Sequence, residues 1–271
     1  MAPAFLILLV VVLALTPALG DWWFQWKHLL PVLLYVGNWV IASPGHEGDL
    51  GAMNHTWSLA VEEQFYLVWP LLVGVLATRR RVVVAAIALS AASLVATWTA
   101  AGSGWERVAY GSDVALFGLC VGANIAVLRI SSPKIGGSRL IPVACMCAIA
   151  AVTLTYGEVD TATALVILMP TVSLLAAAAV WASTGGVPVP RLEVAYLRWF
   201  GTRSYGIYLF QAPFLVAFRL HAGWPWPIML VLLFTVPLLL AEASYRWVEM
   251  PMRRGSMTEV LHEADGRVGG R

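Results

Sequence analysis

Charge is what this sequence has least of. Only 12% of its 271 residues are Asp, Glu, Lys or Arg, against 60% hydrophobic, where a soluble domain carries about 25% charged residues. Seven stretches carry no charge at all: 1–20, 82–105, 114–128, 140–157, 161–190, 204–218 and 220–241. Several approach or exceed the roughly 20 residues a spanning helix needs. The shortage excludes a water-soluble globule and points to an all-α, polytopic membrane helix bundle. Period-2 alternation is missing too, which argues against a β-barrel. Cysteine is scarce. Cys120, Cys145 and Cys147 lie inside apolar runs, without zinc-like spacing or a disulfide framework, and read as small packing residues. There is no convincing internal repeat, Gly-rich phosphate loop or second soluble domain. Residues 1–251 read as one membrane domain, and 252–271 as a polar, disordered cytoplasmic tail.

What is present is a series of apolar segments at 2–20, 56–78, 82–101, 112–129, 140–157, 162–182, 202–220 and 226–246, about eight transmembrane helices. The first has no basic region before its apolar run, so it reads as a retained helix, with cleavage as the alternative. Leu29–Ala42 has an apolar core too short to span, about 14 residues against the usual 20. It also contains Pro31, Gly37 and Asn38, and is expected to be re-entrant or interfacial. If the first span runs outward, basic residues divide fourteen to three. Arg79, Arg80, Arg81, Arg129, Lys134, Arg139, Arg191, Arg198, Arg203, Arg246, Arg253, Arg254, Arg267 and Arg271 fall inside, and Lys27, Arg107 and Arg219 outside. The positive-inside rule then places the C-terminus in the cytoplasm of a multi-pass cell-membrane protein. Trp22, Trp23, Trp26, Trp39, Trp57, Trp105, Trp224 and Trp226 cluster near the outer boundaries. An aromatic belt explains most of them, and carbohydrate stacking is an alternative use for one or two.

Against this background "MNHTWSLAVEEQFYLVWPLL", Met53–Leu72, stands out. Carboxylates buried in a membrane helix are costly and mark function or a polar partner. On a continuous helix His55, Glu62 and Tyr66 share a face by i, i+7 and i+4 spacing, and Glu63 is turned about 100° from Glu62. The two glutamates therefore need separate partners. One is expected to meet reacting groups as a general acid or base, and the other to pair with a basic or hydroxyl group on a neighbouring helix. A purely structural polar network is the competing explanation. Asp113 opens a span where the helix N-terminus favours a carboxylate. Glu242 and Arg246 have ion-pair spacing. Gln211 is a lone mid-span amide, suited to packing.

"HTWSLAVEEQFYLVWPLL" closely resembles the strongest motif of the acyltransferase-3 family of integral membrane O-acyltransferases. "VAYGSDVALFGLCVGANIAVL", "LRWFGTRSYGIYLFQAPFLVAF" and "ASYRWVEMPMRR" resemble later family motifs in the family's order. The resemblance covers essentially residues 1–255. It implies transfer of an acyl group, usually acetyl, from acyl-CoA as donor substrate to a hydroxyl, with no permanently bound cofactor and no metal. Implied acceptors are cell-envelope carbohydrates, glycolipids or other lipid-linked acceptors, and small metabolites. The implied fold is a bundle of about ten helices, with the donor on the cytoplasmic side and many acceptors outside.

Two departures accompany the resemblance. The family begins with two further helices, the first carrying the histidine taken as catalytic base, and "MAPAF" resembles the start that follows them. The expectation is thus a member lacking its N-terminal two helices, with the catalytic histidine absent from this chain. Gln211 stands where many members have histidine. The residues carried over are Glu62 and Glu63 as catalytic, and His55, Trp57, Ser58, Tyr66, Asp113 and Tyr205 as substrate-binding. The alternatives weighed are a truncated inactive protein, an export-assisting component without acyl transfer, and a transporter. The last is disfavoured because no matched pair of broken helices occurs.

Overall fold

A computed structural model describes residues 2–19, 22–43, 50–131, 138, 140–156, 161–184, 191–220 and 225–252. The described residues form helices and turns. The chain divides into two compact units: residues 1–27, 51–55 and 190–271, and residues 28–50 and 56–189. Of the tail expected at 252–271, Met252 ends the last described helix and 253–271 lie outside the described residues, as do the side chains of Trp22, Trp23, Trp26 and Trp224.

The first unit contains α1 (Ala2–Leu19), α10 (Arg191–Leu220) and α11 (Trp226–Ser244), which runs into a π-helical turn at Tyr245–Glu249. Helix α1 buries Ala4, Phe5, Leu8, Leu9 and Val12, one stripe at helical spacing. It packs on α10, and α10 packs on α11. The approach of α10 to α11 is set by Gly206: a Cβ built there would lie 3.1 Å from Ala241 Cβ and 3.2 Å from its Cα. Without hydrophobic drive between helices in lipid, small residues that let backbones approach supply the packing.

The second unit contains the second half of α2 (Trp22–Leu33), α3 (Gly37–Ala42), α4 (Trp57–Leu76), α5 (Arg79–Ala100), α6 (Trp105–Tyr110), α7 (Ser112–Ser131), α8 (Leu140–Tyr156) and α9 (Thr161–Ser183). Helix α5 buries Val82, Ala86, Ser90, Ser93, Thr97 and Ala100, a small-residue stripe laid against α7. Ser93 Oγ meets the first turn of α7. It donates toward the carbonyls of Asp113 at 2.6 Å and Val114 at 2.8 Å, and accepts the Phe117 N–H at 2.9 Å. At the far end of α7, Arg129 Nε donates to Thr184 Oγ1 at 2.9 Å, with its guanidinium 4.0 Å from the centre of the Trp181 ring.

Among the described residues five segments are long and apolar enough to cross a membrane: Gly51–Leu76, Arg79–Ser103, Trp105–Ile130, Leu165–Ser183 and Trp226–Met252. The other three expected spans fall on the shorter apolar stretches Ala4–Ala14 and Leu140–Thr155 and on α10. The 30 residues of α10 exceed the expected 202–220, because Arg191, Arg198 and Arg203 delimit the apolar run without breaking the helix. Arginine is a good helix former. Likewise Arg79–Arg81 form the first turn of α5 rather than a loop, after extended Thr78. Leu29–Ala42 is divided as its Pro31, Gly37 and Asn38 suggest. A turn at Leu34–Val36 separates α2 from α3, with Tyr35 left-handed at φ 54°.

Gly206→Ala is expected to lower the detergent melting temperature, because Ala241 backbone must give way. Gly201→Ala, on the same helix with nothing within 4 Å of its would-be Cβ, is expected to leave it unchanged or raise it, since Ala is favoured over Gly by about 1 kcal/mol in a helix. Equal effects at both positions would show that α10 and α11 do not depend on this contact.

Candidate functional site

The second unit brings Trp57, Ser58, Glu62, Glu63, Tyr66 and Asp113 into one body through α4 and α7. What fixes them is a closed ring of hydrogen bonds between three helices. Gln64 Nε2 on α4 donates to Asn38 Oδ1 on α3 at 3.0 Å. Asn38 Nδ2 donates to Ser112 Oγ at the start of α7 at 2.8 Å. Ser112 Oγ donates back to Gln64 Oε1 at 2.6 Å. The remaining amide hydrogens are used as well: Gln64 donates to the Tyr35 carbonyl at 2.6 Å and Asn38 to the Tyr110 carbonyl at 3.0 Å. Asn38 is fully buried. Both amide groups thus have all their donors and at least one acceptor position engaged, which is what polar side chains among apolar helices require. The strained Tyr35 backbone presents its carbonyl to this ring.

The ring sets the rotation of α4. With Gln64 held toward α3 and α7, Glu63 is turned about 100° away and Glu62 about 200°. Ser58, Glu62 and Tyr66 then form one stripe at i, i+4 spacing. Tyr66 is 47% exposed and within electrostatic reach of both glutamates. Glu63 acts on Tyr35: burial first, and the Glu63 charge second, push the Tyr35 phenol above its ordinary value, so it keeps its proton. Among the described residues neither glutamate has a cationic partner. The ion pairs there are Arg107–Asp113, Arg203–Glu242 and Arg246–Glu242.

Asp113 is engaged. Arg107 of α6 donates Nη1 to Oδ1 at 2.8 Å and Nη2 to Oδ2 at 2.7 Å, the bidentate geometry that strengthens such pairs. The guanidinium also lies 5.2 Å from the centre of the Trp39 ring. A separation of six residues would not pair on one continuous helix. It does so here because extended Gly111 breaks α6 from α7. A Cβ at Gly111 would collide with the Arg107 guanidinium and lie 2.7 Å from Asp113 Oδ1. Trp57 packs edge-on to Tyr110, ring centres 5.1 Å apart, and Trp105 lies 5.8 Å from the same ring. Three of the expected boundary tryptophans thus gather at one end of this unit, whereas Trp226 is simply exposed.

His55 and Tyr205 belong to the other unit and are described there. His55 precedes α4 in a 3₁₀ turn, Gly51–Thr56. His55 Nε2 donates to the Leu209 carbonyl at 3.0 Å, its ring meets Tyr208 edge-on at 5.5 Å, and its own carbonyl accepts from the Tyr208 hydroxyl. Tyr205 is half-buried on α10. The expected Glu242–Arg246 pair is present. Glu242 also binds Arg203 of α10, whose guanidinium lies 4.7 Å from the Trp199 ring centre and 4.3 Å from that of Tyr245. Gln211 is exposed, and Cys120 and Cys145 are buried and free.

The family model described as "Acyltransferase domain" matches residues 3–244. The chain belongs to this acyltransferase family. It is 29% identical to the putative peptidoglycan O-acetyltransferase YrhL of Bacillus subtilis (strain 168), over 87% of this chain and 38% of that protein. It is 28% identical to the peptidoglycan O-acetyltransferase OatA of Listeria monocytogenes, over 87% and 39%. It is 26% identical to the O-acetyltransferase OatA of Staphylococcus aureus (strain NCTC 8325 / PS 47), over 93% and 45%. The chain spans about two fifths of the length of these curated relatives. No solved structure matches it.

The ring, the Arg107–Asp113 pair and the Arg203–Glu242 link were not expected from the sequence. The available signal was a polar residue in each of three separate segments, Asn38, Gln64 and Ser112, none of which has a partner on its own helix. Gln64→Leu is expected to cost several kcal/mol, about 1–3 for each buried polar group it strands. Asn38→Leu in the same background should add far less than it does alone. Additive losses in detergent unfolding midpoints would mean that the two amides are not coupled.

Proposed function

We propose that this chain is a membrane O-acyltransferase that moves an acyl group, acetyl foremost, from acyl-CoA to a hydroxyl of a cell-envelope sugar. The observation that carries the proposal is the pair of glutamates on α4. They have no cationic partner among the described residues, and they stand on a helix whose rotation is locked, in a chain of an acyltransferase family whose relatives are named for O-acetyl transfer to peptidoglycan. Apolar helices and the asymmetry of basic residues support a multi-pass protein with its C-terminus in the cytoplasm, the donor entering from that side and the acceptor from the other.

In the reaction the acceptor hydroxyl loses its proton to a base and its oxygen attacks the thioester carbonyl. The C–S bond breaks, and the leaving thiolate takes up the proton. A positioned carboxylate contributes to such proton movement by about 10²–10⁴-fold. Glu62 and Glu63 divide the work, because their side chains leave α4 in different directions. One meets the reacting groups, while the other holds a partner. Trp57, Ser58, Tyr66 and Asp113 serve the acceptor side.

The test is transfer of labelled acetyl from acetyl-CoA to muropeptide or oligosaccharide acceptors by the full-length protein in proteoliposomes. Glu62→Gln and Glu63→Gln are expected to differ sharply, one falling by about 10²-fold or more and the other by a few-fold. Equal and negligible losses would remove both carboxylates from the chemistry. No transfer by the unsubstituted protein would leave a non-enzymatic membrane component.

A further inference from the structure

Helices α4, α5, α6, α7 and α9 enclose a cavity of about 140 Å³. Its walls are mainly Val108, Val114, Ala115, Phe117 and Met169. Two hydroxyls line it, Thr97 on α5 and Ser173 on α9. Each spends its proton on its own helix: Thr97 Oγ1 donates to the Ser93 carbonyl and Ser173 Oγ to the Met169 carbonyl, both at 2.8 Å. Their oxygens keep lone pairs. Pro170 also lines the cavity. It has no N–H, so the carbonyl of buried Val166, one turn earlier on the same side of α9, loses its helical donor. At Gly118 the wall is bare backbone, and a Cβ there would lie 3.0 Å from Ser173 Oγ.

This lining selects by charge and by size. It holds no ionised side chain, and its single side-chain N–H is the Trp57 indole. An anion finds too few donors there, and a cation no counter-charge. A wholly apolar guest fits the volume, since apolar cavities of about 150 Å³ admit a benzene-sized molecule, but it leaves the acceptors idle. One hydroxyl on such a body answers them. We infer that the cavity is a binding site for a small neutral alcohol or phenol, about the size of benzyl alcohol, drawn from the lipid. The solute moves from hydrocarbon to hydrocarbon, so its apolar body contributes fit, and the hydrogen bond it donates supplies the preference. The bound molecule is an occupant rather than an acyl acceptor. Its proton is committed to the cavity wall. At about 100° per residue, Glu62 and Glu63 leave α4 about 140° and 120° away from Trp57, the α4 residue that lines the cavity. The inference thus stands apart from the acyl transfer proposed above.

The experiment is photolabelling of the full-length protein in detergent with a diazirine-bearing benzyl alcohol, mapped by peptide mass spectrometry. Labels are expected on the cavity walls, Val108, Phe117 and Met169 foremost. Benzyl alcohol is expected to compete about tenfold better than toluene at equal micellar concentration, the worth of one hydrogen bond. Ala115→Leu fills the cavity and should abolish the wall labelling. If it lowers the melting temperature, Ala109→Val is the smaller fill to use instead. Ser173→Ala removes a hydroxyl acceptor, and Pro170→Ala returns an N–H to the Val166 carbonyl. At least one of them should bring benzyl alcohol down to the level of toluene. Wall labelling that survives the fill, or labels spread evenly over the lipid-facing helices, would mean a membrane-dissolved probe only and overturn the inference. Equal competition by the two compounds in the unsubstituted protein, or a tenfold difference that survives both acceptor variants, would overturn it as well.

Discussion

Three uncharged side chains hold the larger unit together at the point where its geometry matters most. The Asn38–Gln64–Ser112 ring ties α3, α4 and α7 within one set of donors and acceptors, each satisfied by another member or by a neighbouring carbonyl. In a hydrocarbon setting helices gain little from hydrophobic burial against one another, so directional bonds decide rotation where close packing alone would permit several. The rotation of α4 follows from the ring, and with it the direction of each carboxylate. The start of α7 follows too, which puts Asp113 within reach of Arg107.

The two faces of α4 consequently have different chemistry. Toward α7 lie Trp57, Val61, Gln64 and Val68, at a spacing that returns to the same side of the helix, with their polar capacity spent on packing. On the opposite side lie Ser58, Glu62 and Tyr66, with Glu63 between the two faces beside Tyr35. A partly buried glutamate without a counter-ion is held at an energetic cost. Asp113 shows the contrast: its carboxylate is held by a bidentate arginine.

Much of the fold was legible from the chain. Apolar runs placed α1, α4, α5, α7, α8, α9 and α11 to within a few residues, because a membrane helix must satisfy its backbone internally and its length follows bilayer thickness. Boundaries failed where charge was taken for an end, at Arg79 and at Arg191, since ionised side chains leave the hydrocarbon without leaving the helix. The glutamates were equally legible from their cost. Their surroundings were not. Asn38 and Ser112 lie 74 residues apart in sequence, and the Arg107–Asp113 pair depends on a backbone break at Gly111 that no helical periodicity announces.

Helix α10 carries a consequence of a different kind. Thirty residues make a rod of about 45 Å, half as long again as the roughly 30 Å hydrocarbon layer. Its uncharged run, 204–218, accounts for only about 22 Å of that length, and a run shorter than the layer is matched by thinning of the lipid or by flanking arginines that reach to its surface. Gly206 fastens it to α11, and Arg203 is fastened to Glu242 on that same partner, so the two helices respond as one. The thickness of the surrounding membrane, a property of the lipids rather than of the protein, thereby becomes a mechanical input to the unit that also clasps His55.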